Sequence, residues 1–386
     1  MKQVISTERL PIKMWLENLE DSALNQAKNL ANLPFAFKHI PLMPDSHTGY
    51  GMPIGSILAT QSVVVPNAVG VDIGCGMCAL RTDLQEISQK ELKSTLGIAR
   101  KLIPLGFNWH DEPQEDHWMP ELPEELPLVS EGFEKARYQV GSLGGGNHFI
   151  EIQKGSDGYI WIMIHSGSRN LGLKVAKHYN KLAKQLNAQY HSQVTTDQDL
   201  AFLPLGTPEA KLYLKEMKYC VEFALNNRKL MMTRMVEALT EVKGDFETDE
   251  IINKSHNFAA WENHFEQNVL VHRKGATRAF KGELGMIPGS QGSHSYIVRG
   301  LGNPQSFASC SHGAGRKLGR KQAIRELDLQ EEINHLNEMG VVHGIRHPKD
   351  LDEATSAYKD IQEVMSNQTD LAEVVVELTP LAVLKG

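Results

Sequence analysis

The residues best suited to phosphate chemistry lie in a glycine-flanked stretch over 309–320, where His312 stands between small side chains. Such glycines let a bulky phosphate approach the backbone closely. We expect a helix to begin just after His312 and to aim its unpaired N–H groups at an anion. The positive end of that helix would keep His312 neutral and nucleophilic. The stretch therefore predicts a phosphate-handling nucleophile, whereas a histidine beside glycines is, taken alone, more often a loop residue.

Two arginines of the same stretch, Arg316 and Arg320, are four residues apart. On a helix they would share one face, where their guanidinium groups can converge on phosphate oxygens. Between 268 and 323 the sole acid is Glu283, against a series of lysines and arginines. This imbalance indicates binding of phosphate or RNA, and the alternative is a solvated basic face without a ligand.

A turn bracketed by glycines carries Asp72 and Cys75, a carboxylate and a thiol that could together ligate a metal ion. Cys75 and Cys78 have the C-x-x-C spacing of zinc ribbons and redox dithiols. A ribbon needs a second C-x-x-C, which the sequence lacks. For Cys78, a small buried thiol remains the alternative interpretation.

Three histidines are further candidate ligands. His148 and His165 each stand at the end of a predicted strand, and His256 is isolated in a polar segment. One histidine at a strand end is usually structural, but two of them beside an Asp-x-x-Cys favour a metal site. The glycines before His148 do not form G-x-G-x-x-G, and a strand follows them. This excludes a dinucleotide-binding fingerprint.

Asp45 and His47 lie in a further glycine-rich segment, 44–55. Polar side chains between closely spaced glycines are typical of a loop around a site. An equally favoured alternative is a plain turn-rich connection in which Asp45 caps a turn.

The composition is that of an ordinary globular protein, with 386 residues, 41% hydrophobic and 23% charged. A net charge of −7 argues mildly against a general nucleic-acid coat protein. Four cysteines are too few for a disulfide framework, so we expect a reducing compartment. Because we find neither a signal peptide nor a membrane-spanning apolar run, we expect a cytoplasmic protein.

Hydrophobic periodicity predicts both helices and strands. We expect helices over 22–33, 87–103, 170–190 and 209–242, with two more after 320. We expect strands over 37–43, 62–66, 68–73, 149–152 and 158–164, and a β-rich tail over 372–384. The acidic, Pro-rich segment over 111–134 is interpreted as a surface excursion.

The candidate site segments come from almost the whole chain. We therefore expect a single α+β domain over 1–386, with mixed sheets and surrounding helices around a deep, metal-containing cleft.

Taken together, these segments resemble the RtcB family of GTP-dependent RNA ligases. The most specific matches are Val-Asp-Ile-Gly-Cys-Gly at 71–76 and Ser-His-Gly-Ala-Gly-Arg at 311–316. The resemblance runs from end to end, through 43–55, 68–75, 146–151, 165–169, 272–280, 287–295, 309–320, 357–361 and 385–386.

The resemblance implies an enzyme that joins RNA ending in a 2′,3′-cyclic phosphate or 3′-phosphate to RNA with a 5′-hydroxyl. His312 matches the family's guanylylated histidine, which attacks the α-phosphorus of GTP and releases pyrophosphate. The implied ligands of two Mn²⁺ ions are Asp72, Cys75, His148, His165 and His256. Cys75 would bridge both ions. Because a thiolate with imidazoles favours softer metals, we expect zinc to compete.

The resemblance also implies contacts to the substrates. The expected GTP-binding residues are Asn147, Phe149, Glu151, Ser290, Ser295, Ala314, Gly315, Tyr358 and Lys385. The expected phosphate or RNA contacts are Lys274, Arg316, Arg320, Asp45 and His47. A carboxylate such as Glu151 accepts hydrogen bonds from guanine N1–H and N2–H₂, which adenine does not offer.

The chain departs from the family pattern at Cys78, Asn170, Gln291 and Gly319, which suggests a divergent member. Two alternatives to ligation are a metal-dependent cyclic phosphodiesterase and an inactive nucleotide- or RNA-binding homologue. We expect a monomer, and an accessory activator protein is a further candidate partner.

Overall fold

The computed structural model describes residues 1–123 and 125–386. These residues form eight α-helices: α1 Asp21–Ala31, α2 Gln89–Leu102, α3 Pro127–Gln139, α4 Arg169–Gln189, α5 Pro208–Lys243, α6 Arg320–Glu326, α7 Leu329–Glu338 and α8 Ile361–Ser366. They also form seventeen strands: β1 Gln3–Ile5, β2 Ile12–Met14, β3 Ile40–His47, β4 Ile54–Thr60, β5 Val63–Val64, β6 Gly76–Arg81, β7 Phe149–Gly155, β8 Ile160–Ser166, β9 Leu203–Pro204, β10 Ile252–Ser255, β11 Asn257–His264, β12 Gln267–Lys274, β13 Ala276–Arg278, β14 Leu284–Ile287, β15 Ser295–Gly300, β16 Ser309–Ser311 and β17 Ala372–Lys385.

Two larger sheets carry the fold. One has six strands in the order β1-β2-β3-β4-β12-β11, and the other has seven in the order β10-β6-β8-β7-β17-β15-β14. The pair β2–β3 is parallel, whereas β3–β4 and the neighbouring pairs are antiparallel. Two-stranded ribbons, β13-β16 and β5-β9, complete the described strands. The fold is therefore a mixed α+β arrangement, as the sequence predicts.

The long helix α5 packs against the back of the seven-stranded sheet. Met231, Met232 and Met235 are buried in one cluster with Ile150 of β7 and Ile162 of β8. Flexible methionine side chains fill the irregular gaps between helix and sheet. This apolar stripe of α5 is therefore part of the core, and its packing holds β7 and β8 in place.

The helices predicted over 22–33, 87–103, 170–190 and 209–242 correspond to α1, α2, α4 and α5. The predicted β-rich tail is also confirmed as β17, which lies between β7 and β15. Lys385 pairs with Phe149 of β7, so this end of the tail is part of the sheet.

The strand predicted over 68–73 is wrong. The segment starts in a short 3-10 helix, Pro66–Ala68, and continues through turns. Gly70 and Gly74 have φ angles of +94° and +78°, which are incompatible with a regular strand. Ala68, Val69 and Ile73 are buried without strand pairing, whereas Val71 is exposed. Hydrophobic periodicity alone cannot distinguish a buried strand from a buried irregular segment. Among the strands that sequence reasoning missed is β6, which follows this segment directly.

The prediction of a helix just after His312 is also wrong. His312 follows β16 directly, and α6 begins at Arg320 with Gly319 as its N-cap. The residues between them form a loop in which Gly315 has a φ of +74°. The helix dipole therefore does not act on His312, and Arg316 does not share a helical face with Arg320.

The acidic segment over 111–134 is only partly an irregular excursion. It contains a 3-10 turn, Asp116–Trp118, and the first residues of α3. Among the helices of the described residues, none has the length and apolarity that crossing a membrane requires.

Candidate active site

A cluster of buried ligand-type side chains surrounds Cys75. Its Sγ lies 3.2 Å from His165 Nε2 and 3.5 Å from His148 Nε2. Asp72 Oδ2 lies 3.2 Å from the same Nε2 of His148. The ligand atoms of Cys75, His148 and His165 all lie within 4.8 Å of one another. This spacing is compatible with a shared metal ion.

The seven-stranded sheet brings these side chains together. Cys75 immediately precedes β6, and His148 immediately precedes β7. His165, in β8, pairs with Phe149 of β7 on one side and with Met77 of β6 on the other. Three neighbouring strands thus deliver the cluster to one end of the sheet, from positions far apart in the sequence.

His256 extends the cluster toward His312. Its backbone N–H donates to Cys75 O at 2.8 Å, which places it beside the thiol. Its ring centroid lies 5.2 Å from that of His165 and 4.8 Å from that of His312. The imidazoles of His165, His256 and His312 therefore form a continuous row.

The cluster has the chemistry of a metal site. Burial lowers the pKa of both His165 and His256 well below the usual range, so both rings are neutral, as ligands must be. Nδ1 of His256 and Nδ1 of His148 are buried without a hydrogen-bond partner among the described residues. Burial, reinforced by Asp72, raises the pKa of Cys75, so metal binding would displace its proton.

Space for the carboxylate of Asp72 depends on a glycine. A Cβ at Gly167 would lie 2.4 Å from Asp72 Oδ1, closer than any side chain permits. The loop after β8 can therefore pass beside the cluster only if residue 167 lacks a side chain.

His312 is held by a buried carboxylate. Its Nδ1–H donates to Asp45 Oδ2 at 2.6 Å, and its backbone N–H donates to the same oxygen at 3.1 Å. Burial opposes the charge on Asp45, but His312, together with His47 and Lys359, outweighs burial and lowers the pKa of the carboxyl. With Nδ1 engaged in this way, Nε2 is the ring nitrogen that can attack an electrophile.

The interpretation of Asp45 as a phosphate or RNA contact requires correction. Asp45 has no exposed surface, and an anionic carboxylate would repel phosphate. Its position behind His312 is that of an orienting residue. His47, two residues further along β3, does reach the site, where burial lowers its pKa to about 4.

An inner cavity lies on one side of His312. From the residues expected at the nucleotide, its wall includes Asn147, Phe149, Glu151, Ser290, Ala314, Gly315, Tyr358 and Lys385. Ser295 is the exception, because it is buried behind the wall and its Oγ accepts from Gly289 N–H at 3.2 Å. Ser295 supports the loop around Ser290 and does not line the cavity.

Glu151 is a buried acid in this cavity. Its Oε2 accepts from Gln153 Nε2 at 2.6 Å, and burial raises its pKa to about 8. Burial likewise lowers the pKa of the neighbouring Lys385. A ligand that offers N–H donors to Glu151 would favour its ionised form.

Sequence reasoning missed a second buried acid, Glu353, which also lines the inner cavity. Its side chain is 1% exposed and accepts from Arg316 Nη1 at 3.0 Å and from Arg320 Nε at 2.7 Å. The hydroxyl of Tyr358 donates to the same carboxylate. In the sequence, the only feature that pointed to Glu353 was its position shortly before the segment 357–361, which resembles the RtcB family.

The two arginines differ in their hydrogen bonds and in their exposure. Arg316 also donates to Leu318 O at 3.0 Å and to Asp352 O at 2.6 Å. These bonds clamp the His312 loop. Arg316 also lines both cavities, so its contact with phosphate stays a prediction. Arg320 is half exposed, and its Nη2 would lie 3.1 Å from a Cβ at Gly146. Arg320 can therefore meet a ligand.

An outer cleft adjoins the inner cavity and shares His47, Asn147, His312 and Arg320 with it. Its wall is rich in cations, namely Lys274, Arg316, Lys317, Arg320, Lys321 and Arg325. In the sequence, Lys317 and Lys321 were predicted only as part of the basic stretch 268–323, and Arg325 lies just beyond it.

Lys274 is buried in the floor of the outer cleft. It donates to Asn67 O at 3.1 Å and to Tyr50 O, and burial lowers its pKa to about 7. Cys78 lies behind the cluster, where its Sγ is 3.8 Å from Arg228 O. Cys78 is therefore a buried structural thiol and not part of the ligand cluster.

Comparison with known proteins gives a consistent match along the chain. A family model described as tRNA-splicing ligase RtcB matches residues 26–127 and 120–386. The RNA-splicing ligase RtcB of Escherichia coli strain K12 is 38% identical over 385 residues, which cover 92% of this chain and 93% of that protein. The chain belongs to the RtcB family.

More distant RtcB relatives extend the match to archaea. The tRNA-splicing ligase RtcB of Nanoarchaeum equitans is 32% identical over 445 residues, covering 95% of this chain and 92% of that protein. The tRNA-splicing ligase RtcB of Thermococcus kodakarensis is 31% identical over 413 residues, with coverage of 88% and 86%.

Three residues at which the chain departs from the RtcB pattern, Gln291, Gly319 and Asn170, lie outside the ligand cluster. Gln291 donates from Nε2 to Glu353 O at 2.9 Å and so ties the cavity loop to the buried acid. Gly319 is the N-cap of α6, and a Cβ there would meet open space. Asn170 lies in the first turn of α4. None of the three donates or accepts a bond with a candidate ligand.

Proposed function

We propose that this chain is a GTP-dependent RNA ligase that joins 2′,3′-cyclic phosphate or 3′-phosphate ends to 5′-hydroxyl ends. The observation that carries the proposal is the setting of His312. Its Nδ1 is engaged by Asp45, and the ring lies between the inner cavity and the basic outer cleft. A nucleophile shared by two cavities suits transfer of a group from a nucleotide to a second substrate.

In the first step, neutral His312 attacks the α-phosphorus of GTP through Nε2. A nitrogen–phosphorus bond forms, the bond to pyrophosphate breaks, and GMP remains on the histidine. The ring becomes cationic as it attacks, and the carboxylate of Asp45 stabilises that charge. Because Nδ1–H donates to Asp45, the tautomer with a free Nε2 lone pair is selected before the nucleotide binds.

In the later steps, a 3′-phosphate oxygen of RNA takes GMP from His312, which regenerates the neutral ring. The 5′-hydroxyl oxygen of the second RNA end then attacks the 3′-phosphorus, GMP leaves, and the hydroxyl proton passes to solvent. A 2′,3′-cyclic phosphate must first be opened by water to a 3′-phosphate. Arg320 lines both cavities and is suited to hold the 3′-phosphate beside the histidine.

Preference for GTP is assigned to Glu151. Guanine presents N1–H and N2–H₂ on one edge, and a carboxylate accepts both, whereas adenine has no matching pair of donors. Phe149 and Tyr358 offer aromatic surface to the base, and Lys385 lies near the same end of the cavity.

The resident metals are proposed to be two Mn²⁺ ions. The proposed ligands are Asp72, Cys75, His148, His165 and His256. When bound, these ions would neutralise the triphosphate and favour in-line displacement. The thiolate and imidazoles of the set also suit zinc, which we expect to bind competitively.

The ligand cluster and both cavities are assembled from segments of one chain. We therefore propose a single domain over 1–386 that acts as a monomer. An accessory activator would not be needed to complete the site, although it could accelerate turnover.

A guanylylation assay tests the proposal. With Mn²⁺ and GTP labelled at the α-phosphate, the protein should acquire one covalent GMP, and His312→Ala should acquire none. Defined 3′-phosphate and 5′-hydroxyl RNA ends should then be joined. Absence of the labelled adduct in the wild type would refute the proposal. Turnover of cyclic phosphate without GTP, unchanged in His312→Ala, would identify a phosphodiesterase instead.

A further inference from the structure

Arg228 of α5 is fully buried, and its guanidinium donates four hydrogen bonds. Nη1 donates to Gly74 O at 2.9 Å and to Ser166 O at 2.8 Å. Nη2 donates to Ser255 Oγ at 3.1 Å, and Nε donates to Asn253 Oδ1 at 2.8 Å. All four acceptors are uncharged, so the guanidinium is not part of a hydrogen-bonded ion pair.

Three of these partners adjoin the proposed metal ligands in sequence. Gly74 precedes Cys75, Ser166 follows His165, and Ser255 precedes His256. Ser255 Oγ also donates to Gly74 O at 3.1 Å, which links two of the segments directly. The planar guanidinium of Arg228, whose donor directions are fixed, therefore sets the relative positions of the three backbone segments that carry the proposed ligands.

Local packing explains why the helix can reach these backbones. A Cβ at Gly74 would lie 2.9 Å from Ala224 Cβ and from Cys220 O of α5. The glycine lets the turn press directly on the helix, within range of the guanidinium. Asn227, the preceding residue of α5, donates to Gly167 O at 3.0 Å and so holds the loop after His165.

The charge of Arg228 also needs a partner. Burying a guanidinium without an opposing charge is strongly unfavourable. No carboxylate of the described residues forms a hydrogen bond with it. The anionic groups on the other side of the Gly74 turn are Asp72 and the thiolate that Cys75 would become on binding metal. Arg228 is thus placed to stabilise an anionic ligand set electrostatically.

We propose that Arg228 is a positioning residue for the metal centre, which holds the Cys75, His165 and His256 segments in the geometry that binds metal. The inference rests on the metal site proposed above. Residues outside the ligand set that orient ligands commonly change metal affinity by about 10- to 100-fold when mutated. Lysine cannot replace this arginine, because an ammonium is a point donor and cannot span three segments.

Metal binding by the purified full-length chain tests the inference. Mn²⁺ affinity is measured by titration calorimetry, and Co²⁺ is used as a spectroscopic probe of the Cys75 thiolate. We expect Arg228→Lys to bind Mn²⁺ about 10- to 100-fold more weakly than the wild type. The Co²⁺–thiolate absorption band should also shift or weaken, which a general loss of stability would not cause.

Glu216→Gln is the matched control, because Glu216 is also fully buried on α5 but accepts from Leu128 N–H and Val129 N–H at a distant site. It should lower the thermal stability without changing metal affinity. If Arg228→Lys does not fold, Ser255→Ala removes one of the four acceptors and should weaken Mn²⁺ binding several-fold.

Two negative outcomes are distinguishable. A wild-type chain that binds no metal would refute the proposed metal centre itself. If the wild type binds metal, and Arg228→Lys or Ser255→Ala has the same affinity and the same Co²⁺ spectrum, the role of Arg228 is refuted. The proposed metal centre would then still stand.

Discussion

At the scale of single residues, the proposed role of His312 as the nucleophile depends on the groups that its two ring nitrogens contact. Asp45 accepts from both Nδ1 and the backbone N–H of His312, which fixes the ring orientation and the tautomer. The carboxylate is fully buried, so water does not weaken the interaction. The orientation of Nε2 thus depends on one side chain from β3.

We predict that Asp45→Asn lowers the rate of His312 guanylylation by about 10³- to 10⁴-fold. An amide is isosteric but neutral, and it can present an N–H that stabilises the wrong tautomer, as known for triads built on serine, histidine and aspartate. The measurement is single-turnover formation of labelled protein–GMP.

Binding of GTP itself should change little in Asp45→Asn, since Asp45 does not line the cavity. Asp328→Asn is the control substitution, at the exposed N-cap of α7. An Asp45→Asn rate within tenfold of the wild type would show that the tautomer is fixed by other means.

The raised pKa of Glu151 predicts a pH-dependent affinity for guanosine. With a pKa of about 8, the carboxyl is mostly protonated at pH 6 and mostly ionised above pH 8. The proposed contact with guanine requires the ionised form, so affinity should rise with pH by up to about tenfold per unit below pH 8 and then level off. Calorimetry with guanosine from pH 6 to 9 measures this.

Glu151→Gln cannot ionise, so its guanosine affinity should be weaker and independent of pH in that range. The ligand in this experiment is guanosine and not GTP. Guanosine has no phosphate, so the titration of lysines near a phosphate does not affect its binding. A wild-type profile as flat as that of the variant would contradict the assignment of Glu151 to the guanine edge.

At the scale of secondary structure elements, the loop between β16 and α6 determines where His312 stands. Gly315 takes a φ of +74° and packs directly on β3, where a Cβ would lie 2.2 Å from Asp45 O. Arg316 then secures the loop to Asp352 and Glu353. The histidine is therefore positioned by backbone packing on β3 and by the arginine clamp, not by a helix terminus.

We predict that Gly315→Ala destabilises the protein by about 1–3 kcal/mol or more, because the residue is forced into a strained φ and its methyl group overlaps β3. Guanylylation should fall as well, since the strand that is displaced carries Asp45. Thermal unfolding and adduct formation measure the two effects.

Gly319→Ala, four residues further along the same loop, is the matched control. The φ of Gly319 is −64° and its surroundings are open, so the substitution should change neither thermal unfolding nor adduct formation. Equal behaviour of the two variants would mean that the packing on β3 is not needed for the site.

At the scale of the whole molecule, charge is distributed unevenly. The chain carries a net charge of −7, yet the outer cleft gathers six cations. A basic cleft on a protein of negative net charge attracts an anionic polymer to that cleft. The arrangement suits a protein that takes single RNA ends and does not coat RNA.

Single-stranded RNA should bind with a salt dependence set by these cations. We predict that the triple variant Lys317→Ala, Lys321→Ala, Arg325→Ala reduces the slope of log affinity against log salt concentration by about 2, at about 0.7 per phosphate contact. Fluorescence anisotropy at several salt concentrations measures the slope.

The double variant Lys90→Ala, Lys93→Ala, on the exposed side of α2, should leave the slope unchanged. A triple variant with the wild-type slope would place the RNA outside this cleft.

The sequence was informative where function depends on residue type and local spacing. The segments that carry Asp72, Cys75 and His312 could be located, and so could the long helices, because both signals are local. Contacts between distant segments could not be predicted. His312 is 267 positions from Asp45, and Arg320 is 33 positions from Glu353. Neither pairing has a periodic or motif-based signature.

The position of β17 within its sheet has a consequence for biosynthesis. Residues 372–385 form a central strand, with β7 on one side and β15 on the other, and they also supply Lys385 to the inner cavity. During translation, β7 and β15 emerge long before the strand that joins them. The cavity can therefore close only after Lys385 has left the ribosome. Under the proposed function, a nascent chain would be unable to load GMP before its synthesis had passed that residue.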